Sequence, residues 1–118
     1  MPARVVVARE LAEIFRALGH ECRIRMVEEL AQGDHGELDV HSLVDILDMP
    51  QPTVSQHLSI LRKAKLVKHR RVGRNVHYSL TNRGLASWLL QALRFLKRRS
   101  HDAEELSRAV EDVRRHWG

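Results

Sequence analysis

Hydrophobic residues recur along most of the chain at intervals of three and four, which is the spacing of one face of an α-helix. In the first such segment, Val7, Leu11, Ile14, Phe15 and Leu18 form one apolar stripe. Glycine or proline follows several of these segments, as expected where helices end. The pattern predicts six helices, labelled α1 to α6, at about residues 5–18, 21–31, 40–47, 52–63, 84–98 and 102–116.

The hydrophobic period changes to two after Leu66, which indicates β-structure. Residues 76–80 alternate in polarity and residues 67–72 can pair with them, while Gly73, Arg74 and Asn75 form the predicted hairpin turn. The 118 residues therefore predict one mainly α domain, residues 1–118, in the order α1-α2-α3-α4-β-β-α5-α6. The sequence leaves open whether α5 and α6 are one bent helix, and Ser100 or Asp102 is the predicted cap of α6.

The charged residues are unevenly distributed, although the net charge is only +5. All 15 acidic residues lie outside the segment from Met49 to His101, which we call the acid-free segment. A polyanionic partner is the simplest reason for this segregation, and a basic face that only confers solubility is the alternative. Its basic residues are Arg62, Lys63, Lys65, Lys68, Arg70, Arg71, Arg74, Arg83, Arg94, Lys97, Arg98 and Arg99.

Composition and motifs argue against several other classes of protein. No apolar run approaches the roughly 20 residues of a membrane span, and no signal peptide is evident, so we expect a cytoplasmic protein without a membrane partner. We find no phosphate-binding glycine loop, no nucleophile beside a base and no paired carboxylates in a cleft, so we expect no enzyme. The single cysteine, Cys22, is interpreted as a buried structural thiol among apolar residues.

Two short helices, α3 and α4, separated by a tight turn and followed by a basic hairpin, predict a winged helix-turn-helix that binds double-stranded DNA. The inner face of α4 is predicted to be Val54, Leu58 and Leu61. Its other side chains are short or planar hydrogen-bonding groups that suit base edges in the major groove. We expect DNA contacts from Gln51, Thr53, Ser55, Gln56, His57, Ser59 and Arg62.

The hairpin and the end of α4 supply cations suited to phosphate contact, which gives affinity but little sequence choice. Arg74 lies at the predicted hairpin tip. His57, His69 and His77 are expected to add positive charge at mildly acidic pH. Any one of these residues alone is most simply a solvated surface group. The predicted phosphate contacts are Lys63, Lys65, Lys68, Arg70, Arg71 and Arg74.

Three segments resemble the ArsR/SmtB family of bacterial repressors: residues 18–30, the run Pro52-Thr-Val-Ser-Gln-His-Leu-Ser-Ile-Leu-Arg-Lys-Ala-Lys-Leu-Val67, and Arg71-Val-Gly-Arg-Asn-Val-His-Tyr-Ser-Leu80. The resemblance implies a homodimeric transcriptional repressor that binds an imperfect palindromic operator. It also implies a dimer interface formed by α1 and α5. The candidate interface residues are Phe15, Trp88, Leu89, Leu93 and Phe95, for which packing within one subunit is the alternative.

The resemblance leaves the sensed signal open. Asp39 and His41 occupy the positions of a Cys-x-Cys metal site at the start of α3, and their oxygen and nitrogen donors would suit nickel or zinc. His35, His20 or a residue of the other subunit would have to complete that site. The alternative is that Asp39 caps α3 and His41 is a surface residue. A second family site, on α5, falls on poor ligands and is expected to be absent: Asn82, Gly84, Phe95 and Arg98.

Two further alternatives stay open from sequence alone. A winged helix can bind a protein instead of DNA, but that function would favour an exposed apolar or acidic face on α4, which the sequence does not predict. A regulator that responds to no metal is the alternative to one that senses nickel or zinc. A dithiol switch within one subunit needs a second cysteine, so Cys22 alone cannot form one.

Overall fold

The computed structural model describes residues 2–98 and 103–117, which fall into two compact units, Met1–Asn82 and Arg83–Gly118. The predicted caps Ser100 and Asp102 lie outside the described residues. The first unit contains four helices and a small sheet, as the hydrophobic periods predict. Its helices are α1 (Ala3–Leu18), α2 (Glu21–Gln32), α3 (Val40–Leu47) and α4 (Gln51–Lys63).

The core of the first unit lies where α2, α3 and α4 pack together. Each helix contributes the apolar residues that its three-and-four spacing brings to one face. The fully buried side chains are Met26, Val27, Leu30, Leu43, Val54, Leu58 and Leu61. Helix α1 differs, because only Ala17 and Leu18 at its end are buried.

The connection between α3 and α4 is three residues long, which produces a helix-turn-helix. Asp48 adopts a left-handed conformation (φ 52°) and its amide donates to the Val44 carbonyl, which ends α3. Pro50 follows with φ −59° and ψ 143°, directly before the first turn of α4. Proline in that extended conformation prevents α3 from continuing and starts α4 on a new axis.

The sheet has three antiparallel strands, β1 (Glu37–Asp39), β2 (Val67–Val72) and β3 (Asn75–Leu80), in the order β1-β3-β2. Strands β2 and β3 form the predicted hairpin, which we call the wing. Val72 pairs with Asn75, so the turn is the two residues Gly73 and Arg74, with Gly73 at φ 62°. Strand β1 was not predicted, because three residues are too few to show a period of two.

The second unit consists of α5 (Gly84–Ala92), a 3₁₀ segment (Leu93–Arg98) and α6 (Ala103–Trp117). The prediction that α5 continues as an α-helix to residue 98 was wrong. Leu93 has φ −60° and ψ −22°, the dihedral angles of a 3₁₀-helix, and the tighter winding continues from there. Neither glycine nor proline marks this change. In the described part of the chain, no helix has the length and apolar character that crossing a membrane requires.

Candidate nucleic-acid interface

Helix α4 buries the predicted side, since Val54, Leu58 and Leu61 are completely inaccessible to solvent. The opposite side carries hydrogen-bonding and cationic groups along its whole length. Thr53 and Ser59 are half-buried at its edges. The exposed members of the predicted DNA-contacting set on this helix are Gln51, Ser55, Gln56, Arg62 and Lys63.

His57 does not lie on the outer side of α4, where we expected it. It follows Val54 by three residues, and that spacing places it at the edge of the buried side. Its ring is half-buried against the start of α2, with its centroid 4.5 Å from that of His20 and its Nδ1 3.0 Å from the Arg23 guanidinium. Burial, with His20 and Arg23 nearby, lowers the pKa of His57. The lowered pKa weighs against the expected gain of charge at mildly acidic pH, since His57 then protonates at a lower pH than an ordinary histidine.

The wing presents an exposed cationic edge beside α4, and Lys68, Arg71 and Arg74 are exposed along it. Arg74 occupies the turn at its tip, where a Cβ at Gly73 would meet no other atom within 4 Å. His69 lies 3.0 Å from the guanidinium of Arg62, which connects the end of α4 to β2. The wing and the end of α4 therefore present basic groups next to each other, and basic side chains are the usual partners of DNA phosphates.

Arg70 is also exposed, but its guanidinium already forms an ion pair with Glu37 of β1. Its Nε and Nη2 donate to the two carboxylate oxygens of Glu37 at 3.1 and 2.5 Å, a bidentate pair. His77 Nδ1 lies 3.3 Å from the same carboxylate. The hydrogen bonds from Arg70 hold the pKa of Glu37 below its usual range. This contact ties both outer strands together across β3.

Because the folded protein lowers the pKa of Glu37, this carboxylate stabilises the fold above its ordinary pKa of 4.5 and loses that effect as the pH falls through the lowered value. We therefore expect Glu37→Gln to lower the urea midpoint at neutral pH, and the difference from wild type to shrink as the solution is acidified. Glu13→Gln is the matched control, since Glu13 pairs with Arg16 one turn further along the exposed side of α1. A difference that is independent of pH would contradict this account.

Asp39 and His41, at the start of α3, are arranged as in the alternative to a metal site, in which Asp39 caps the helix and His41 is a surface residue. Asp39 Oδ1 accepts a hydrogen bond from the Ser42 amide at 2.8 Å, so its carboxylate caps α3. Hydrogen bonding from the side chain and the backbone of Ser42 lowers the pKa of Asp39. His41 is exposed on the first turn. The backbone of Asp39 also pairs with His77 in the sheet, so this residue has two structural roles.

A different group of metal-ligating residues comes together between α2 and α4. His20, Cys22 and His57 each bring one ligand atom to within 4.8 Å of the other two. Cys22 is half-buried and not fully buried as predicted, and its sulfur lies 3.6 Å from the Met49 sulfur. The rings of His20 and His57 nearby make its surroundings only partly apolar. The His-x-Cys spacing of residues 20–22 could have indicated two of these ligands from sequence. No local pattern indicated the third, His57, which lies 35 positions after Cys22.

The residues predicted for a dimer interface lie on two elements, one in each unit. In the first unit Phe15 is 56% exposed on α1, together with Val7 and Leu11. In the second unit Trp88 and Phe95 are exposed, and Leu89 and Leu93 are half-buried. The stripe that the spacing predicts on α1 is therefore largely accessible in a single chain, which is unusual for an apolar helix face.

The elements described so far define a class: a winged helix-turn-helix protein with a polar, cationic recognition helix and a basic wing. Residues 20–69 match the family described as "Bacterial regulatory protein, arsR family". The chain is 38% identical over 93 residues to the biofilm growth-associated repressor of Agrobacterium fabrum, covering 79% of this chain and 76% of that one. The protein belongs to the arsR family of bacterial regulators, which confirms the resemblance.

A second relative agrees with this membership, and a solved structure agrees with the fold. The HTH-type transcriptional repressor SmtB of Mycobacterium tuberculosis is 44% identical over 81 residues, and the match covers 69% of this chain and 58% of that repressor. The homodimeric winged helix-turn-helix DNA-binding domain Mb0332 of Mycobacterium bovis has a TM-score of 0.70 at 24% identity. That match covers 86% of this chain and 95% of the domain, and it confirms the fold.

Proposed function

We propose that this protein is a transcriptional repressor that binds a palindromic operator in double-stranded DNA as a homodimer. The observation that carries the proposal is the combination of an apolar inner face and a polar outer face on α4. Full burial of Val54, Leu58 and Leu61 fixes the helix on the domain, while Ser55 and Gln56 project from it. A helix anchored in this way can enter a major groove with its first turns towards the bases.

In this proposal the two parts of the interface have different tasks. Serine and glutamine side chains at the start of α4 contact base edges, since glutamine can form a bidentate pair with adenine. The cations of the wing contact phosphate, with Arg74 at its tip. The acid-free segment contains both parts, so no carboxylate of its own would oppose the DNA. The family membership supports the same assignment.

The exposed apolar stripe on α1 supports the homodimer. Leu11 and Phe15 lie on one side of this helix, and a second copy of the chain would remove them from water. Trp88, Leu89, Leu93 and Phe95 stay our candidates for the part of the interface contributed by the second unit. Two recognition helices related by a two-fold axis would then meet the two halves of a palindrome.

We assign the repressor to the cytoplasm, where its operator would be, and we give it no catalytic role. The named relatives are repressors, which supports both statements. We leave nickel or zinc binding at Asp39 and His41 out of the proposed function, because Oδ1 of the Asp39 carboxylate caps α3 and two ligands alone are too few for a tight site. A metal-responsive form of the repressor that used this pair would need further ligands to complete the site.

The test is a comparison of binding to the DNA upstream of the protein's own gene and to random DNA of equal length, at near-physiological salt. We expect specific binding tighter by about 10³-fold or more, the lower end of the range for sequence-specific regulators. A dimer bound per site should appear in the stoichiometry. Equal affinity for the two DNAs would show that binding to this site is not sequence-specific. Absence of binding to both would contradict a DNA-binding function.

A further inference from the structure

A cluster of nitrogen and sulfur ligands connects the start of α2 to the recognition helix. It consists of the rings of His20 and His57 and the sulfurs of Cys22 and Met49, and we call it the α2–α4 cluster. The three nitrogen and thiol ligands lie within 4.8 Å of one another, and the two sulfurs are 3.6 Å apart. Donor atoms around one tetrahedral ion lie roughly 3.5 Å apart, so small side-chain rotations would bring the cluster to that spacing.

The donor chemistry selects among ions. Thiolate and thioether ligands together favour Cu(I), whereas zinc sites use thiolate, imidazole and carboxylate. The charge nearby favours the same ion. Arg23 places its guanidinium 3.0 Å from the His57 ring, and the three-ligand set contains no carboxylate. One thiolate neutralises Cu(I), but it would leave a divalent ion with a net positive charge beside Arg23.

We propose that His20, Cys22 and His57, with Met49 as a weaker fourth ligand, form a binding site for Cu(I). On coordination the Cys22 thiol loses its proton to solvent, since the thiolate is the ligand. The site is separate from Asp39 and His41 at the start of α3. The ion would join residues that are far apart in sequence. His20 directly precedes α2, Cys22 lies in its first turn, and His57 lies in the middle of α4.

Binding of the ion would change two hydrogen bonds that the protein now makes. The Nδ1 of His20 accepts from the Cys22 amide at 3.0 Å, and the Nδ1 of His57 accepts from Arg23 at the same distance. A neutral imidazole has one lone pair for such contacts, so coordination through either nitrogen ends the bond at Nδ1. Copper would therefore break the hydrogen bond by which His20 caps α2 and the hydrogen bond between Arg23 and His57 of α4.

The location of His57 gives the site a regulatory consequence, which rests on the proposed function. His57 directly follows Ser55 and Gln56, the residues proposed to contact bases. When His57 binds the ion, its contact with Arg23 is replaced by a link through the ion to His20 and Cys22. This change would alter the contacts between α2 and this half of α4. The differential binding of copper to the two arrangements would then appear as a change in DNA affinity.

The first experiment measures Cu(I) binding without DNA. Anaerobic, reduced protein competes with a chromophoric Cu(I) chelator, while thiolate-to-copper absorption is followed. We expect one ion per chain, and a loss of affinity of at least ~100-fold in Cys22→Ser and His57→Gln, beyond what loss of an outer-shell partner usually causes. Circular dichroism would check that both variants are folded. His41→Gln is the matched control and should bind as the wild type does.

Three results would overturn the site: no stoichiometric Cu(I) in the wild type, unchanged affinity in the folded Cys22→Ser and His57→Gln variants, or loss of binding in His41→Gln. Zinc is titrated in parallel, and tight zinc binding without copper binding would contradict the choice of ion. If one substitution prevents folding, the folded one decides. Because this readout needs no operator, its failure is distinct from failure of the proposed function.

The second experiment adds operator DNA. Copper should change the affinity of the wild type by at least about 5-fold, the lower limit of typical allosteric coupling, and should not change that of Cys22→Ser. Copper binding without any change in DNA affinity would overturn the regulatory step and leave the site itself supported. If the copper-free protein binds no DNA, the proposed function fails while the result of the first experiment stands.

Discussion

Replacing both Ser55 and Gln56 with alanine is expected to remove most of the preference for operator over random DNA. Both side chains are exposed on α4, so their loss should change the free energy of unfolding by no more than about 0.5 kcal/mol. Each lost base contact should reduce specificity by about 1–3 kcal/mol. The measurement is a titration of operator and random DNA with the double variant, alongside a denaturation curve.

Arg74→Ala provides the matched comparison, because it alters the same surface at the wing tip without touching α4. It should weaken binding to all sequences similarly and flatten the dependence of log affinity on log salt by about 1.8 per bound dimer, since each of the two subunits loses one phosphate contact of about 0.9. The proposed division of tasks would be wrong if Arg74→Ala changed sequence preference, or if the double variant kept its preference and lost only salt dependence.

Leu58→Ala is expected to destabilise the fold strongly. The side chain is completely buried, where α4 packs on α2 and α3, so its removal leaves a cavity. Substitutions of this kind destabilise proteins by about 2–5 kcal/mol, against a total of roughly 5–15 kcal/mol for a typical domain. Chemical denaturation of the variant measures the loss, and DNA affinity at fixed temperature should fall with the folded fraction.

The control lies two residues away on the same helix. Ile60 is 41% exposed, so Ile60→Ala removes a side chain of equal size but should cost much less than Leu58→Ala. The comparison keeps helix propensity nearly constant, since both variants place alanine in the middle of α4. If the two variants lost similar stability, the inner face assigned to α4 would be incorrect.

The sequence predicted the helices of the first unit and the wing to within two residues, because each has a strong period and a clear end. Pro50 and Gly73 mark their boundaries through backbone geometry that other residues adopt less readily. By contrast, β1 forms because it pairs with β3, and a segment of three residues is too short for its sequence to predict that pairing. The 3₁₀ segment after Ala92 similarly has no sequence marker.

The candidate interface was predictable in composition but not in every orientation. The exposed Ser55 and Gln56 follow directly from the apolar positions on α4. His57 shows what was missed: its distance of three from Val54 and four from Leu61 already put it at the buried edge. The α2–α4 cluster depends on tertiary packing that brings residue 57 beside residues 20 and 22, and no local pattern contains that information.

Strand β1 joins the helix-turn-helix to the wing more closely than its length suggests. Asp39 caps α3 through its side chain and pairs with His77 through its backbone, while Glu37 holds Arg70 on the far strand. These contacts restrict the separation between the helix-turn-helix and the proposed phosphate-contacting hairpin. DNA would have to match that separation through its own groove width and bending, so operators can differ in affinity through base pairs that the protein never touches.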